Sequence, residues 1–166
     1  MKNIKYKRPS IDEWCLMLKD TVGKRATCSR GRSGCIIAKD GHVIATGYVG
    51  APSGLPDCDE VGHLFQSIIN SDDTISEHCI RTVHAEQNAI CQAAKFGISV
   101  NNATLYCTMT PCRVCAMLII NSGIKHIYCD WHYPNKEQDD NVITMLNYVG
   151  IDIHFANKEA IKYEED

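Results

Sequence analysis

The chain has 166 residues, 45% of them hydrophobic and 22% charged. These ordinary globular values exclude collagen-like, coiled-coil and disordered classes and predict a single domain over residues 1–166 with a real core. Twenty acidic against seventeen basic side chains leave a net charge of −3, so no nucleic-acid partner is expected from the summed field. The longest apolar run, Cys115 to Ile120, has six residues, far short of the ~18 that cross a bilayer, so no membrane is expected.

Residues 1–9 form a basic arm, with Lys2, Lys5, Lys7 and Arg8. No apolar segment follows, so the arm does not read as a secretory signal, and a cytoplasmic location is expected. Ten cysteines in 166 residues stay below the ~8–10% of small disulfide scaffolds. In a reducing compartment such cysteines point to metal binding or catalysis.

Ser10 with Glu13 reads as a capping box, and Ile11, Trp14, Cys15, Leu18 and Val22 then recur at helical spacing, which predicts a helix over 11–22. Ile36-Ile37-Ala38, an Asp40-Gly41 turn and Val43-Ile44-Ala45 predict a tight antiparallel hairpin. Four glycines and two prolines between 47 and 62 predict an irregular loop shaped for contact. The stretch 63–69 reads as a short helix ended by Ser71-Asp72-Asp73. Helices are then expected over 84–96, 111–121 and 139–148, closed by Gly97, Gly123 and Gly150, with strands at 104–107, 124–129 and 151–155. Strands alternating with helices of this length imply parallel crossovers, and the expected fold is α/β, a three-layer α/β/α sandwich around a mixed five-stranded sheet. Residues 158–166 form an acidic tail.

The chemistry concentrates in two short motifs, His84-Ala85-Glu86 and Pro111-Cys112-Arg113-Val114-Cys115. With Thr110 as N-cap and Pro111 at the first helical position, Cys112 and Cys115 fall on one face of a first helical turn, where the helix dipole favours thiolates. His84 supplies a third ligand, and three protein ligands leave an open position for water, as catalytic zinc requires. Glu86 is the natural proton carrier. Positions two apart on a helix diverge by about 200°, so His84 must project off the helix end for both side chains to meet. Alone, Cys112-x-x-Cys115 would equally fit half of a closed zinc clip or a redox pair.

Together the two motifs make the H-x-E…P-C-x-x-C signature of zinc deaminases. The chain resembles the cytidine and deoxycytidylate deaminase superfamily, and within it the deoxycytidylate (dCMP) deaminases of the competence-operon type. The resemblance runs from about Ile11 to Phe155. It rests on Gly47-Tyr48, Gly50-Ala51-Pro52-Ser53-Gly54, His84 to Ile90 and Thr108 to Ala116, with Asn88, the stretch from Ile119 to Ile124 and Tyr133 pointing to the nucleotide branch. It implies a cytidine deaminase-like fold and zinc-dependent hydrolysis of dCMP to dUMP and ammonia in pyrimidine nucleotide metabolism. Water activated on the metal attacks C4, and Glu86 carries the protons.

The resemblance also implies substrate contacts at residue 49, Ala85 and Tyr133, the tyrosine lying near the 5′-phosphate. Arg30 and Arg32 are the nearby basic candidates, with a solvated loop face as their alternative reading. It further implies a homo-oligomer, commonly a hexamer, with dCTP and dTTP as effectors and Mg2+ accompanying them. One position departs from the family. Where the family reads Gly-Tyr-Asn-Gly, this chain has Gly47-Tyr48-Val49-Gly50. Valine cannot supply the hydrogen bond expected of that asparagine to the sugar hydroxyl, so sugar or base preference is expected to shift, toward a modified cytosine nucleotide as one alternative.

The remaining donors form a second pattern: Cys28, Cys58-x4-His63 and Cys79. In similar deaminases these positions carry a second, structural zinc, and His78 is the alternative nitrogen ligand to His63. Cys15, Cys35, Cys91, Cys107 and Cys129 read as small core residues. Competing functions are a non-catalytic zinc protein of assembly or DNA uptake, and a deaminase of polynucleotide bases. Glu86 argues against the first, and the acidic balance against the second.

Overall fold

The computed structural model describes residues 7–69, 73–134 and 136–156. The first six residues of the basic arm and the whole acidic tail lie outside them. Along the chain run α1 (Ile11–Gly23), β1 (Gly34–Lys39), β2 (His42–Tyr48), α2 (Cys58–Val61), β3 (Phe65–Ile69), β4 (Ile75–Cys79), α3 (Ala85–Lys95), β5 (Thr104–Met109), α4 (Arg113–Ser122), β6 (His126–Trp131), α5 (Lys136–Tyr148) and β7 (Asp152–Phe155).

One sheet in the order β2-β1-β5-β6-β7 organises the chain. β1 pairs antiparallel with both β2 and β5, while β5, β6 and β7 run parallel, so the sheet is mixed as expected. The Asp40-Gly41 turn takes positive φ at both residues, which is what a tight hairpin with right-handed strand twist requires. Side chains alternate between two faces. Cys35, Ile37, Leu105, Cys107, Ile127 and Cys129 point to the large cluster under α3, α4 and α5. Ile36, Ala38 and Tyr106 point to a smaller cluster under α1, which contributes Cys15 and Leu16. The layers are therefore three helices, the sheet and one helix. The fully buried Lys19 of α1 pairs with Asp130 of β6 and ties the outer helix to the sheet.

Four expectations need correction. Cys91, read as a small core residue, is exposed on α3. The stretch 63–69 is not a helix: Phe65–Ile69 is a strand paired antiparallel with Ile75–Cys79. Its β-branched isoleucines suit a strand, and the partner strand satisfies its backbone in a way that spacing along 63–69 alone does not reveal. The irregular loop contains one helical turn, α2, with a capping box between Asp57 and Glu60. Finally, α4 begins at Arg113 with Cys112 as its N-cap, so Thr110 and Pro111 stand before the helix. Among the described residues no helix is long and apolar enough to cross a membrane.

Candidate active site

Close backbone contact sets the position of α3. A Cβ at Gly47 would strike the carbonyl of Ala85 and the nitrogen of Ala89, so only glycine lets β2 and α3 meet this closely. Gly50 and Val83 exchange backbone hydrogen bonds of 3.3 and 2.9 Å. Asn88 donates its amide to the carbonyls of Tyr48 (2.8 Å) and Val83 (3.4 Å). The residue before His84 is thus fixed from two sides.

His84 is the N-cap of α3, in extended conformation (φ −67°, ψ 155°). Its ring therefore leaves the helix end, as the divergence of positions 84 and 86 demanded. Cys112 caps α4 in the same conformation and Cys115 lies in its first turn. The Nδ1 of His84 stands 3.5 Å from the Sγ of Cys112 and 3.4 Å from that of Cys115. With zinc bonds of about 2.3 Å to sulfur and 2.0–2.1 Å to nitrogen, a tetrahedral shell places sulfur and nitrogen about 3.5 Å apart. The donor set fits zinc in type and in spacing, with one coordination position left for a non-protein ligand. Glu86 reaches Cys115 at 3.8 Å.

The electrostatics agree. The hydrogen bond from Cys115 pulls the Cys112 thiol below its ordinary value, against burial and with help from His84. The Cys112 thiolate holds the imidazole of His84 above its ordinary value. Burial pushes the Glu86 carboxyl up, toward the range in which a carboxyl can exchange protons near neutral pH.

The second group of donors also assembles. Cys28 follows α1, Cys58 opens α2, His63 precedes β3 and Cys79 ends β4. One donor atom of each lies within 4.8 Å of the others. The Sγ atoms of Cys58 and Cys79 are 3.6 Å apart and Cys28 Sγ is 3.6 Å from His63 Nδ1, close to the edges of about 3.5–3.8 Å of a tetrahedral zinc shell. Burial raises the Cys58 thiol to about 12. Cys79 falls to about 7, because the N–H groups of Arg81 and Leu64 and the His63 ring outweigh its burial. His78 is exposed and hydrogen-bonds Ser76 at 3.1 Å. Neighbouring positions on a strand face opposite ways, so Cys79 and His78 do not share the cluster, and His63 is its nitrogen donor.

The other candidates divide. Ala85 is buried in the first turn of α3, between the two site residues. Tyr133 is half-buried just beyond β6. Its phenol is raised by burial and, to a lesser degree, by the charge of Cys112. Val49 is half-buried and packs against the main core, while its backbone bonds Ser33 and Thr27. Arg30 donates to the Glu77 carbonyl (3.1 Å) and lies 5.1 Å over the Phe65 ring. Arg32 donates to the Ala26 carbonyl (2.7 Å) and pairs with Asp59 at 3.6 Å. Both arginines thus brace the frame of the second cluster.

Sequence reasoning missed Asp139. Buried in α5, it accepts the Tyr133 backbone N–H at 2.9 Å and pairs with His132 Nδ1 at 2.7 Å. Burial opposes its charge, but the Tyr133 N–H and His132 hold its carboxyl below the usual range. It clamps the loop that carries Tyr133. Nothing in the sequence separates it from Glu137 and Asp140 beside it.

Residues 9–130 match the family model of the cytidine and deoxycytidylate deaminase zinc-binding region. The chain belongs to this deaminase family. The deoxycytidylate deaminase of Schizosaccharomyces pombe is 32% identical over 146 residues, 88% of this chain and 44% of that protein. ComE operon protein 2 of Bacillus subtilis is 37% identical over 121 residues, 73% of this chain and 59% of that protein. The chain thus spans about half the length of these relatives. The crystal structure of the dCMP deaminase of cyanophage S-TIM5, in complex with dCMP and dUMP, superposes with a TM-score of 0.70 at 27% identity, over 90% of this chain and 99% of that one. Its fold is the α/β sandwich described above.

Proposed function

We propose that this chain hydrolyses dCMP to dUMP and ammonia, and that residues 1–166 act as one deaminase domain. The observation that carries the reading is the meeting of three donors at zinc spacing with the raised carboxyl of Glu86 beside them. A closed structural clip has no use for that carboxylate.

His84, Cys112 and Cys115 would hold zinc, which supplies activation of a water molecule at neutral pH. Glu86 does the proton work: it takes a proton from the attacking water and gives it to N3 of the cytosine ring, then takes the proton of the new C4 hydroxyl and delivers it to the departing amine as the C4–N bond breaks. Ala85 lines the base pocket. Tyr133, clamped by Asp139, stands toward the phosphate. Arg30 and Arg32, our sequence candidates for the phosphate, have partners on the second cluster's frame, and we assign the phosphate end first to Tyr133. Cys28, Cys58, His63 and Cys79 would hold a second zinc that closes long loops with few other ties.

The exposed face of α4, with Val114, Met117 and Leu118, supports assembly into a homo-oligomer, for which the resemblance suggests a hexamer. Regulation by dCTP and dTTP with Mg2+ rests on that resemblance and on the glycine-rich loop at 47–54. The ten unpaired thiols support a reducing, cytoplasmic setting. Val49 supports a second reading, a modified cytosine nucleotide as substrate, because an apolar group stands where the family has an amide.

Ammonia release measured across dCMP, CMP, deoxycytidine, 5-methyl-dCMP and dCTP tests both readings. The first expects dCMP to be the preferred substrate. A preference for the methylated nucleotide favours the second, and no release from any member overturns both.

A further inference from the structure

At the far edge of the sheet, β6 and β7 run parallel with His126 opposite Asp152 and Tyr128 opposite His154. Period-two alternation puts all four side chains on one face, that of the cluster under α1, to which Tyr128 belongs. His126, Asp152 and His154 are all exposed, and one donor atom of each lies within 4.8 Å of the others. His126 Nδ1 and Asp152 Oδ2 are 3.4 Å apart, which is the separation of two donors on one small ion rather than a tight hydrogen bond. The third donor is held in place by stacking. The His154 ring lies 4.6 Å from that of Tyr128, which lies 5.3 Å from Tyr106, a ladder across three strands. At the start of β7, the Asp152 N–H bonds the Lys125 carbonyl at 3.2 Å.

We infer that His126, Asp152 and His154 form a third metal site, for a divalent first-row transition ion such as Zn2+ or Ni2+. Two imidazoles and one carboxylate suit these borderline ions. Mg2+ and Ca2+ require oxygen donors, and a soft ion requires sulfur. Three donors on one exposed face leave the remaining positions to water, so the site is open and exchangeable, unlike the thiolate clusters. It stands apart from the catalytic centre. His126 begins β6, whereas Tyr133 follows its other end, and the five residues to Trp131 span about 16 Å. The helices carrying His84 and Cys112 cover the opposite face. An ion here joins β6 to the edge strand β7 and stabilises the C-terminal end of the sheet.

The test uses the full chain loaded with zinc and dialysed until only the two tightly held equivalents remain, then titrated with Ni2+ by calorimetry, with zinc content measured before and after. Wild type should bind one further equivalent of Ni2+ without releasing zinc. Paramagnetic broadening should centre on the amides of residues 125–128 and 151–155, and the thermal midpoint should rise by about 2–4 °C at tenfold saturation. His126→Gln and His154→Gln should each weaken this binding at least tenfold and abolish the midpoint shift, with deamination unchanged. No additional equivalent in wild type, or equal affinity in the His126→Gln/His154→Gln double variant, overturns the site. So does broadening centred elsewhere.

Discussion

His84, Cys112 and Cys115 stand at the starts of α3 and α4, helices whose inner faces carry Ala89, Ala93, Ala116 and Ile119 into the main core. Cys28, Cys58, His63 and Cys79 come instead from a loop, a single helical turn and the base of a hairpin whose strand residues are mostly exposed. The first set has three donors and an acid beside them; the second has four donors and none. Packing already fixes the first group, so a metal held there could keep an open position for chemistry. The second lies where little apolar surface is buried, and there a closed shell of four donors around a metal would do the work of a core.

The contrast breaks most visibly at Glu86. Glu86→Gln should lower kcat by about 10²–10⁴-fold while the metal content and the thermal midpoint stay those of wild type. Metal analysis beside the kinetics decides it, since a variant that also loses zinc would make Glu86 a ligand rather than a proton carrier.

Next in size is Cys58→Ser. Wild type should carry two tightly held zinc ions per chain, and the variant one, with a midpoint lower by ~5–15 °C. Its residual activity per folded molecule should remain, because the catalytic donors are elsewhere. One zinc in wild type would dissolve the comparison.

Asp139→Asn sharpens the contrast on the catalytic side. It weakens two charge-assisted contacts, at a cost of about 1–3 kcal/mol, and frees the Tyr133 loop. KM for dCMP should rise more than kcat falls, and an equal fall in kcat alone would remove Asp139 from positioning. Its carboxyl is lowered in the folded chain. The stabilisation it brings is therefore present above the unfolded value of about 4 and lost as pH falls through the folded one. Midpoints measured from pH 6 to pH 3 should show less acid sensitivity in the variant.

The smallest effect is expected of Val49→Asn. A restored amide at the sugar should lower KM for dCMP by a factor of ~5–10, the worth of about 1 kcal/mol. Because Val49 packs against the core, a small loss of stability should accompany it. Identical specificity profiles for wild type and variant would show that residue 49 does not touch the substrate.

Much of this site was legible because its donors are close in sequence. His84 and Glu86 are two apart and Cys112 and Cys115 three apart, so local backbone geometry sets each pair, and the requirement that His84 leave the helix end followed from helical angles alone. The second cluster was legible only as a set of donors. Its choice between His63 and His78 depended on which face of β4 Cys79 occupies, and β4 exists only because 75–79 found 65–69 as a partner. Apolar residues in 63–69 fit a helical spacing as well as a strand, and long-range pairing decided between them.

The sequence by itself determined the helix that Ser10 and Glu13 cap, the Asp40-Gly41 hairpin, the alternation of strands and helices that gives a mixed sheet, and the zinc motif with its carboxylate. Each of these depends on interactions within a few residues, where covalent spacing leaves little freedom. Only the tertiary structure decided that Lys19 and Asp130 pair inside the protein, that Arg30 braces a hairpin while Arg32 pairs with Asp59, that Asp139 holds the Tyr133 loop, and that His126 meets Asp152 and His154. These partners lie many residues apart or on neighbouring strands. Their meeting is set by strand register and helix packing, which depend on how the whole apolar set is buried together rather than on any local run of side chains.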